Sequence, residues 1–284
     1  MSEVEQLTEP VAFHGEGPVW SPGWGGLKWL DMLAGDILTL LPSGDVERRS
    51  VGAVAAAIRP RAAGGAVIAT EHGFAIDRGD GAPIDHLPDA FHDRGLRMNE
   101  GGCDPDGRFY CGSMAWDKAE GRGSLYRLDT RRNVTEVLAG VTISNGLDWS
   151  PDGSLAYYVD SATQQIDVFD YESDPGLLRR RSFVRIPDAN GAPDGLTVDA
   201  DGFVWVALWG GSAIHRYRPD GVLDGVVRMP VSQVTAITFG GPQLDELFIT
   251  TSREGLPDGA EPSAGALFRH LPHVKGQPVR TYAG

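Results

Sequence analysis

Apolar residues fall in short runs along the chain, and each run begins at or just after a turn rich in glycine or aspartate. The runs occupy residues 26–30, 65–69, 107–111, 153–159, 202–207 and 244–249. A large apolar residue marks the middle of each run, and successive markers lie 38 to 48 residues apart. No long stretch shows the 3.6-residue periodicity of an amphipathic helix. The pattern therefore indicates short β-strands rather than helices.

A second short segment with alternating apolar and polar positions follows most of these runs. Examples are residues 35–40, 123–128, 165–170, 212–217 and 265–269. A repeat of about 40–50 residues that carries four short strands is typical of a β-propeller blade, whereas a β-sandwich has no reason to repeat at this spacing. The chain is predicted to be all-β, a six-bladed β-propeller with four-stranded antiparallel blades, forming a single domain over residues 1–284. Residues 254–264 are predicted to form a surface loop.

Composition supports this interpretation and narrows the possible partners. The chain has 38 glycines among 284 residues, close to twice the usual share of about 7%, which supplies many tight turns. The 25 basic and 39 acidic residues give a net charge of −14. A chain this acidic repels phosphate backbones and anionic lipid surfaces. We therefore expect neither nucleic acid nor a membrane as a partner, and the oligomeric state is left open.

The chain has only two cysteines, Cys103 and Cys111, which is too few for a disulfide framework. They flank residues 105–107 and could face each other across a hairpin. Two reduced thiols in a cytoplasmic protein are the simpler interpretation. The cytoplasm is accordingly the expected location, and pairing of the two thiols is left open.

Four side chains that carry oxygen stand at nearly the same distance before the turn glycine of their own repeat. They lie seven or eight residues before it, and they are Glu16, Asn99, Asn145 and Asp194. In a radial repeat, a common offset places residues at the same height near the central axis. We therefore expect the four to converge on the central channel, just before the innermost strand of each blade.

Two carboxylates and two carboxamides form an all-oxygen set suited to a hard divalent cation. The cation would neutralise Glu16 and Asp194 together, which offsets the cost of burying carboxylates side by side. Asn-Gly and Asp-Gly pairs also mark ordinary turns. Four oxygen-bearing side chains at nearly the same distance before a turn glycine nevertheless favour a binding site. The predicted cofactor is one divalent metal. Oxygen ligands suit Ca²⁺, Mg²⁺ or Mn²⁺, and they suit Zn²⁺ less well.

Motifs along nearly the whole chain resemble those of the regucalcin/gluconolactonase family, also called the senescence marker protein family. They lie at residues 15–20, 97–101, 112–114, 143–149, 193–195, 208–211, 239–241 and 282–284. The resemblance implies a six-bladed propeller that holds one divalent metal and hydrolyses sugar lactones. It implies Glu16, Asn145 and Asp194 as ligands, with Asn99 as a further ligand or a substrate contact.

The resemblance also implies substrate contacts. Arg97 and the residue after Asn99 are expected to bind substrate, although the family usually has Asp where this chain has Glu100. An acidic contact is expected after Gly-Ser-Met, where Asp117 matches better than Glu120. Apart from the resemblance, His14 precedes Glu16 and is interpreted as a surface residue, with a place at the rim of the site as the alternative.

The function predicted is metal-dependent hydrolysis of a small sugar lactone to its aldonic acid, with the metal as Lewis acid and Asp194 as general base. Two alternatives stay open. One is a non-catalytic binding propeller with a structural metal, and the other is a related hydrolase of organophosphates or aromatic lactones. Arg97 and Glu100 favour the enzyme, because a structural metal needs neither. The choice of sugar is expected to depend on loops 117–123 and 253–264.

Overall fold

The computed structural model describes residues 4–284, so the first three residues of the predicted domain lie outside it. It contains 24 strands in six four-stranded antiparallel sheets, which confirms the predicted six-bladed propeller. Four 3₁₀ turns complete the regular structure, at Pro22–Trp24, Met32–Ala34, Ser161–Thr163 and Asp188–Asn190. In the described part of the chain, no helix is long and apolar enough to cross a membrane.

The strands are numbered along the chain, and all but the first follow one another blade by blade. β1 is Glu5–Gln6; blade 1 contains β2 Gly15–Ser21, β3 Gly26–Asp31, β4 Asp36–Leu40 and β5 Val46–Ser50. Blade 2 contains β6 Ala55–Pro60, β7 Ala66–Thr70, β8 Phe74–Asp77 and β9 Asp85–His86. Blade 3 contains β10 Leu96–Cys103, β11 Phe109–Ala115, β12 Gly123–Leu128 and β13 Val134–Val141.

The remaining blades follow the same order. Blade 4 contains β14 Ser144–Trp149, β15 Leu155–Asp160, β16 Gln165–Glu172 and β17 Gly176–Arg185. Blade 5 contains β18 Ala192–Val198, β19 Val204–Trp209, β20 Ala213–Tyr217 and β21 Leu223–Arg228. Blade 6 contains β22 Val234–Gly240, β23 Glu246–Thr251 and β24 Phe268–His270, with β1 as its outermost strand.

The two ends of the chain close the ring. β1 pairs antiparallel with β24, with Glu5 opposite Arg269 and Gln6 opposite Phe268. The last blade is thus built from both ends of the chain, which leaves no gap between blades 1 and 6. Apolar side chains pack between neighbouring sheets, and the two large rings of Trp29 and Trp149 are completely buried.

The innermost strands are β2, β6, β10, β14, β18 and β22, which contact one another around the axis. The apolar runs found in the sequence form the second strands instead, from β3 to β23. The predicted metal-site residues were expected just before the innermost strands. This expectation is wrong, because the strands that follow them are the second strands of the blades. Glu16, Asn99, Asn145 and Asp194 lie within the innermost strands themselves.

The end of the chain crosses one mouth of the channel. We call residues 271–284 the C-terminal strap. Gly276 forms a bridge with Asp199 of blade 5, and Tyr282 forms one with Arg61 of blade 2. Between these two points, Gln277 donates hydrogen bonds from Nε2 to the carbonyl of Trp149, at 3.0 Å, and to that of Val198, also at 3.0 Å. The strap therefore ties several blades together at this end.

Candidate metal and active site

Each innermost strand contains an irregularity of pairing at the height of the predicted site. The register shifts between Met98 and Gly101, between Ser144 and Leu147, and between Pro193 and Leu196. Blades 1, 2 and 6 have equivalent shifts. Such a bulge redirects a side chain out of the regular alternation. It explains how Asn99, Asn145 and Asp194 can all turn towards the channel.

The glycine that follows a site residue is needed for close packing between blades rather than for a turn. A Cβ on Gly146 would stand 2.4 Å from the backbone nitrogen of Leu196, and one on Gly195 would stand 2.6 Å from Cβ of Ala236. The neighbouring innermost strands therefore approach at a distance that only glycine allows. The interpretation of Asn-Gly and Asp-Gly as turn markers does not apply here, because both pairs lie inside strands.

A cavity of about 100 Å³ lies at the end of the channel opposite the C-terminal strap. Five of the predicted site residues line it: Glu16, Arg97, Asn99, Asn145 and Asp194. The other lining residues are His14, Met114, Lys118, Ile143, Ser161, Ala192, Trp209 and Glu254. The structure thus brings together the four residues of the repeat and Arg97.

Two oxygen atoms that face this cavity are buried and have no hydrogen-bond partner among the described residues: Oδ1 of Asn145 and Oδ1 of Asp194. The orientation of the Asn145 amide is set by a hydrogen bond, which its Nδ2 donates to Oγ of Ser161 at 3.1 Å. Nearby, Oε2 of Glu16 accepts a bond from the backbone N–H of Gly17 at 3.2 Å. Buried polar atoms normally have partners, so these oxygens suit a bound cation.

The carboxylates of Glu16 and Asp194 are held in an environment that penalises their charge. Burial, followed by the charge of Asp194 and then that of Glu100, raises the pKa of Glu16 well above its ordinary value. Burial, followed by the charge of Glu100, raises the pKa of Asp194 in the same way. A divalent cation would offset this repulsion.

The amide of Asn145 is essential to such a site. Within residues 4–284, no three His, Cys, Asp or Glu side chains gather into a metal-binding group. The carboxylates of Glu16 and Asp194 and the Asn145 carboxamide supply oxygen donors inside the cavity, and such donors fit a hard cation such as Ca²⁺ or Mg²⁺.

Asn99 is already bonded at both ends of its amide. Its Oδ1 accepts from Nη1 of Arg97 at 2.6 Å, and its Nδ2 donates to the carbonyl of Ser144 at 2.7 Å. This arrangement suits a substrate contact better than a metal ligand, because one of the lone pairs on Oδ1 is in use. Arg97 is itself buried, and its guanidinium carbon lies 5.1 Å from the ring centre of Trp116.

Glu100 does not reach the cavity that contains Asp194. It lines a second cavity, of about 60 Å³, beneath the C-terminal strap. Asn99 and Glu100 both lie where the pairing of β10 shifts, and their side chains line different cavities. Burial raises the pKa of Glu100 to about 7, with Arg59 acting in the opposite direction.

Asp117 and Glu120 also lie away from the cavity. Both side chains are exposed, and Oδ1 of Asp117 accepts a bond from the backbone N–H of Ala119 at 3.1 Å. Asp117 thus stabilises the turn of its own loop. The residue of this loop that lines the cavity is Lys118, which sequence reasoning did not select.

His14 was interpreted as a surface residue, and this is wrong. Its side chain is buried, with Nδ1 2.7 Å from Oγ of Ser252 and Nε2 3.7 Å from Oε1 of Glu16. Burial, then the positive charges of Arg97 and Lys118, lower its pKa to about 3. A signal was available in the sequence, since positions 14 and 16 share one face of an extended segment.

Cys103 and Cys111 are both free and buried. Cys103 stands opposite Phe109 and Cys111 opposite Gly101 in the pairing of β10 with β11, so the two do not face each other. The interpretation as two reduced thiols is confirmed for this structure.

Comparison with known proteins identifies the family to which the chain is similar. Residues 14–253 match the family described as SMP-30/Gluconolactonase/LRE-like region. The chain is 34% identical over 295 residues to a regucalcin of Sus scrofa, with 99% of each chain covered. It is 34% identical over 290 residues to a pentonolactonase of Haloferax volcanii, with 97% of this chain and 96% of that protein covered.

A solved structure has the same architecture. The crystal structure of a calcium-binding protein named regucalcin, from Agrobacterium tumefaciens, superposes with a TM-score of 0.93 at 29% identity. The match covers all of this chain and 98% of the other. The propeller fold and the motifs identified in the sequence are therefore those of one family.

Proposed function

This chain belongs to the SMP-30/gluconolactonase/LRE-like family, and we propose that it is a metal-dependent lactonase that hydrolyses a sugar lactone to the corresponding aldonic acid. The observation that carries the proposal is the pair of unpartnered oxygens, Oδ1 of Asn145 and Oδ1 of Asp194, buried in one cavity with Glu16. The relative named pentonolactonase supports the substrate class.

Glu16, Asn145 and Asp194 are the residues that would hold the metal. When bound there, a divalent cation supplies a Lewis acid for the carbonyl oxygen of the lactone. Oxygen donors of this kind accept Ca²⁺, Mg²⁺ or Mn²⁺, and Zn²⁺ less readily. The calcium-binding description of the Agrobacterium tumefaciens relative supports Ca²⁺ as one candidate.

The remaining chemistry is assigned to side chains of the chain itself. Asp194 accepts a proton from the attacking water, whose oxygen bonds to the carbonyl carbon. The bond from that carbon to the ring oxygen then breaks, and the ring oxygen takes up the proton to become a hydroxyl. Arg97 and Asn99 bind and orient the substrate, and their mutual hydrogen bond keeps both in place. No covalent intermediate with the protein is required.

Two accompanying proposals concern the surroundings of the reaction. The buried, reduced cysteines fit a reducing compartment, so we place the protein in the cytoplasm. Its partner is a small sugar lactone, which is the substrate of the proposed reaction and matches the small cavity, about 100 Å³, that contains Asp194. Neither nucleic acid nor membrane is proposed as a partner.

The experiment is a panel of sugar lactones, aryl lactones and an organophosphate ester, followed with a pH indicator. The protein is tested after exhaustive chelation and after addition of Ca²⁺, Mg²⁺, Mn²⁺ or Zn²⁺, with spontaneous hydrolysis subtracted. We expect turnover of sugar lactones that is lost on chelation and regained with metal. Metal content of the purified protein is measured in parallel.

Asp194→Ala is expected to lower kcat at least about 100-fold and to weaken metal binding in the same variant. Asp201→Asn, an exposed change in the next turn of the same blade, serves as the control. Full turnover after chelation would overturn the role of the metal. Metal binding without turnover of any ester would instead favour a binding propeller, and preference for aryl or phosphate esters would favour the related hydrolase.

A further inference from the structure

Two charged side chains enter the cavity from opposite sides of the ring. Lys118 lies in the loop between β11 and β12 of blade 3, and Glu254 lies in the loop between β23 and β24 of blade 6. Blades 3 and 6 face each other across a six-bladed ring. The two side chains therefore stand on either side of the cavity that contains Asp194.

Hydrogen bonds of the backbone fix the loop position of both residues. Lys118 has a left-handed backbone conformation, with φ of 57°, and its N–H donates to the carbonyl of Ala115 at 2.9 Å. The N–H of Glu254 donates to Oγ of Ser252 at 2.9 Å, and its Oε2 lies 3.6 Å from Nδ1 of His14. The backbone of both loops is thus fixed beside the cavity.

Both ionic groups have unused bonding capacity. Across residues 4–284, the ammonium of Lys118 forms neither an ion pair nor a hydrogen bond, and the carboxylate of Glu254 accepts no hydrogen bond. The side chain of Glu254 is 34% exposed, and Lys118 is exposed as well. Both are thus accessible to a molecule that enters the cavity from this side.

We propose that Lys118 and Glu254 form a hydroxyl clamp that selects polyhydroxylated lactones. A hydroxyl accepts a bond from an ammonium and donates one to a carboxylate, so a sugar satisfies both groups at once. An unsubstituted lactone offers neither of these hydrogen bonds, so the clamp contributes nothing to its binding. The inference rests on the proposed lactonase function and adds the residues that determine its specificity.

The clamp is tested by comparing two substrates, glucono-1,5-lactone and δ-valerolactone, which share the six-membered lactone ring and differ in hydroxyl groups. Glu254→Gln keeps the length of the side chain and Lys118→Met keeps most of it, and both remove the charge. For glucono-1,5-lactone, each is expected to lower kcat/KM about tenfold, mainly through KM, as the loss of one charged hydrogen bond predicts. For δ-valerolactone, kcat/KM is expected to change less than about twofold.

Lys275→Met and Asp258→Asn are the matched controls. Lys275 is exposed on the C-terminal strap, and Asp258 is exposed in the same loop as Glu254. Neither lines the cavity, so both variants should keep wild-type kinetics on the two substrates. Lys118→Arg, which keeps the donor, should retain most of the preference for the hydroxylated lactone.

Two results would overturn the clamp while leaving the lactonase intact. One is an equal loss on both substrates in Lys118→Met and Glu254→Gln, which means that the two residues only shape their loops. The other is unchanged kinetics on glucono-1,5-lactone. If wild-type protein hydrolyses no sugar lactone of the panel with any metal, the proposed function fails, and the clamp fails with it.

Discussion

Arg97 donates a hydrogen bond from Nη1 to Oδ1 of Asn99 over 2.6 Å. Because Asn99 also donates from Nδ2 to the carbonyl of Ser144, its amide has one orientation, and that orientation depends on Arg97. The guanidinium also donates to the carbonyl of Met98 at 3.1 Å. Arg97 therefore supports the substrate-facing part of β10 in addition to lining the cavity itself.

Replacing Arg97 with alanine is expected to raise KM for a sugar lactone about tenfold or more, with a smaller effect on kcat. The reason is that the variant loses contacts that bind the substrate and the transition state equally well. Steady-state kinetics measure the division between the two constants. Arg185→Ala, an exposed change on the outer strand of blade 4, is the control. A fall in kcat at unchanged KM would contradict the binding role and place Arg97 in the chemical step.

Ser161 sets the orientation of the Asn145 amide, so its hydroxyl should matter for metal binding although it is not a proposed ligand. Ser161→Ala is expected to weaken metal binding about tenfold, as is usual when a partner that orients a ligand is removed. Titration calorimetry with Mn²⁺ or Ca²⁺ measures this without any substrate. Ser173→Ala, an exposed change in the same blade, should bind normally. Unchanged affinity in Ser161→Ala would show that Asn145 keeps its orientation unaided.

The spacing of turn glycines predicted the propeller because each blade repeats one hairpin, and that hairpin joins the first and second strands. The innermost strands were harder to recognise. In residues 97–101, for example, Arg97, Asn99 and Glu100 interrupt the apolar alternation that identifies a buried strand. These positions depart from the apolar alternation because their side chains line cavities of the channel rather than pack in the core.

The residues that line the cavity were only partly predictable. Asn145 and Asp194 recur at a fixed offset, so the repeat itself revealed them. Lys118 and Glu254 lie in loops, where the direction of a side chain depends on contacts distant in the sequence, such as that between Glu254 and His14. Glu100 was misplaced because the motif does not show on which side of β10 each side chain emerges.

Gly146 packs against the innermost strand of the next blade, and any side chain there collides with backbone. Gly146→Ala would place Cβ 2.4 Å from the nitrogen of Leu196, so we expect the free energy of unfolding to fall by about 1–3 kcal/mol. Denaturant titration measures the change. Gly225→Ala is the matched control, because a Cβ at that strand position meets nothing within 4 Å. Equal stability of the two variants would argue against close packing at the axis.

The two cysteines should be unreactive in the folded protein. Burial raises the pKa of both thiols well above the ordinary value, and the thiolate is the reactive form. A chromogenic disulfide reagent at pH 8 is expected to detect no thiol in the native protein and both thiols after denaturation. Detection of none after denaturation would indicate a disulfide, and rapid reaction in the native state would contradict the burial of Cys103 and Cys111.

Tyr282 anchors the end of the C-terminal strap. Its ring is completely buried, its hydroxyl donates to the carbonyl of Asp129 at 2.7 Å, and its N–H donates to the carbonyl of Pro60 at 2.8 Å. Tyr282→Ala should lower the free energy of unfolding by about 3–5 kcal/mol through the cavity it leaves. Tyr282→Phe should cost only about 1 kcal/mol, because the ring stays and one hydrogen bond is lost. Denaturant titration distinguishes the two, and equal losses would mean that the hydroxyl, rather than the packed ring, holds blades 2 and 3 to the strap.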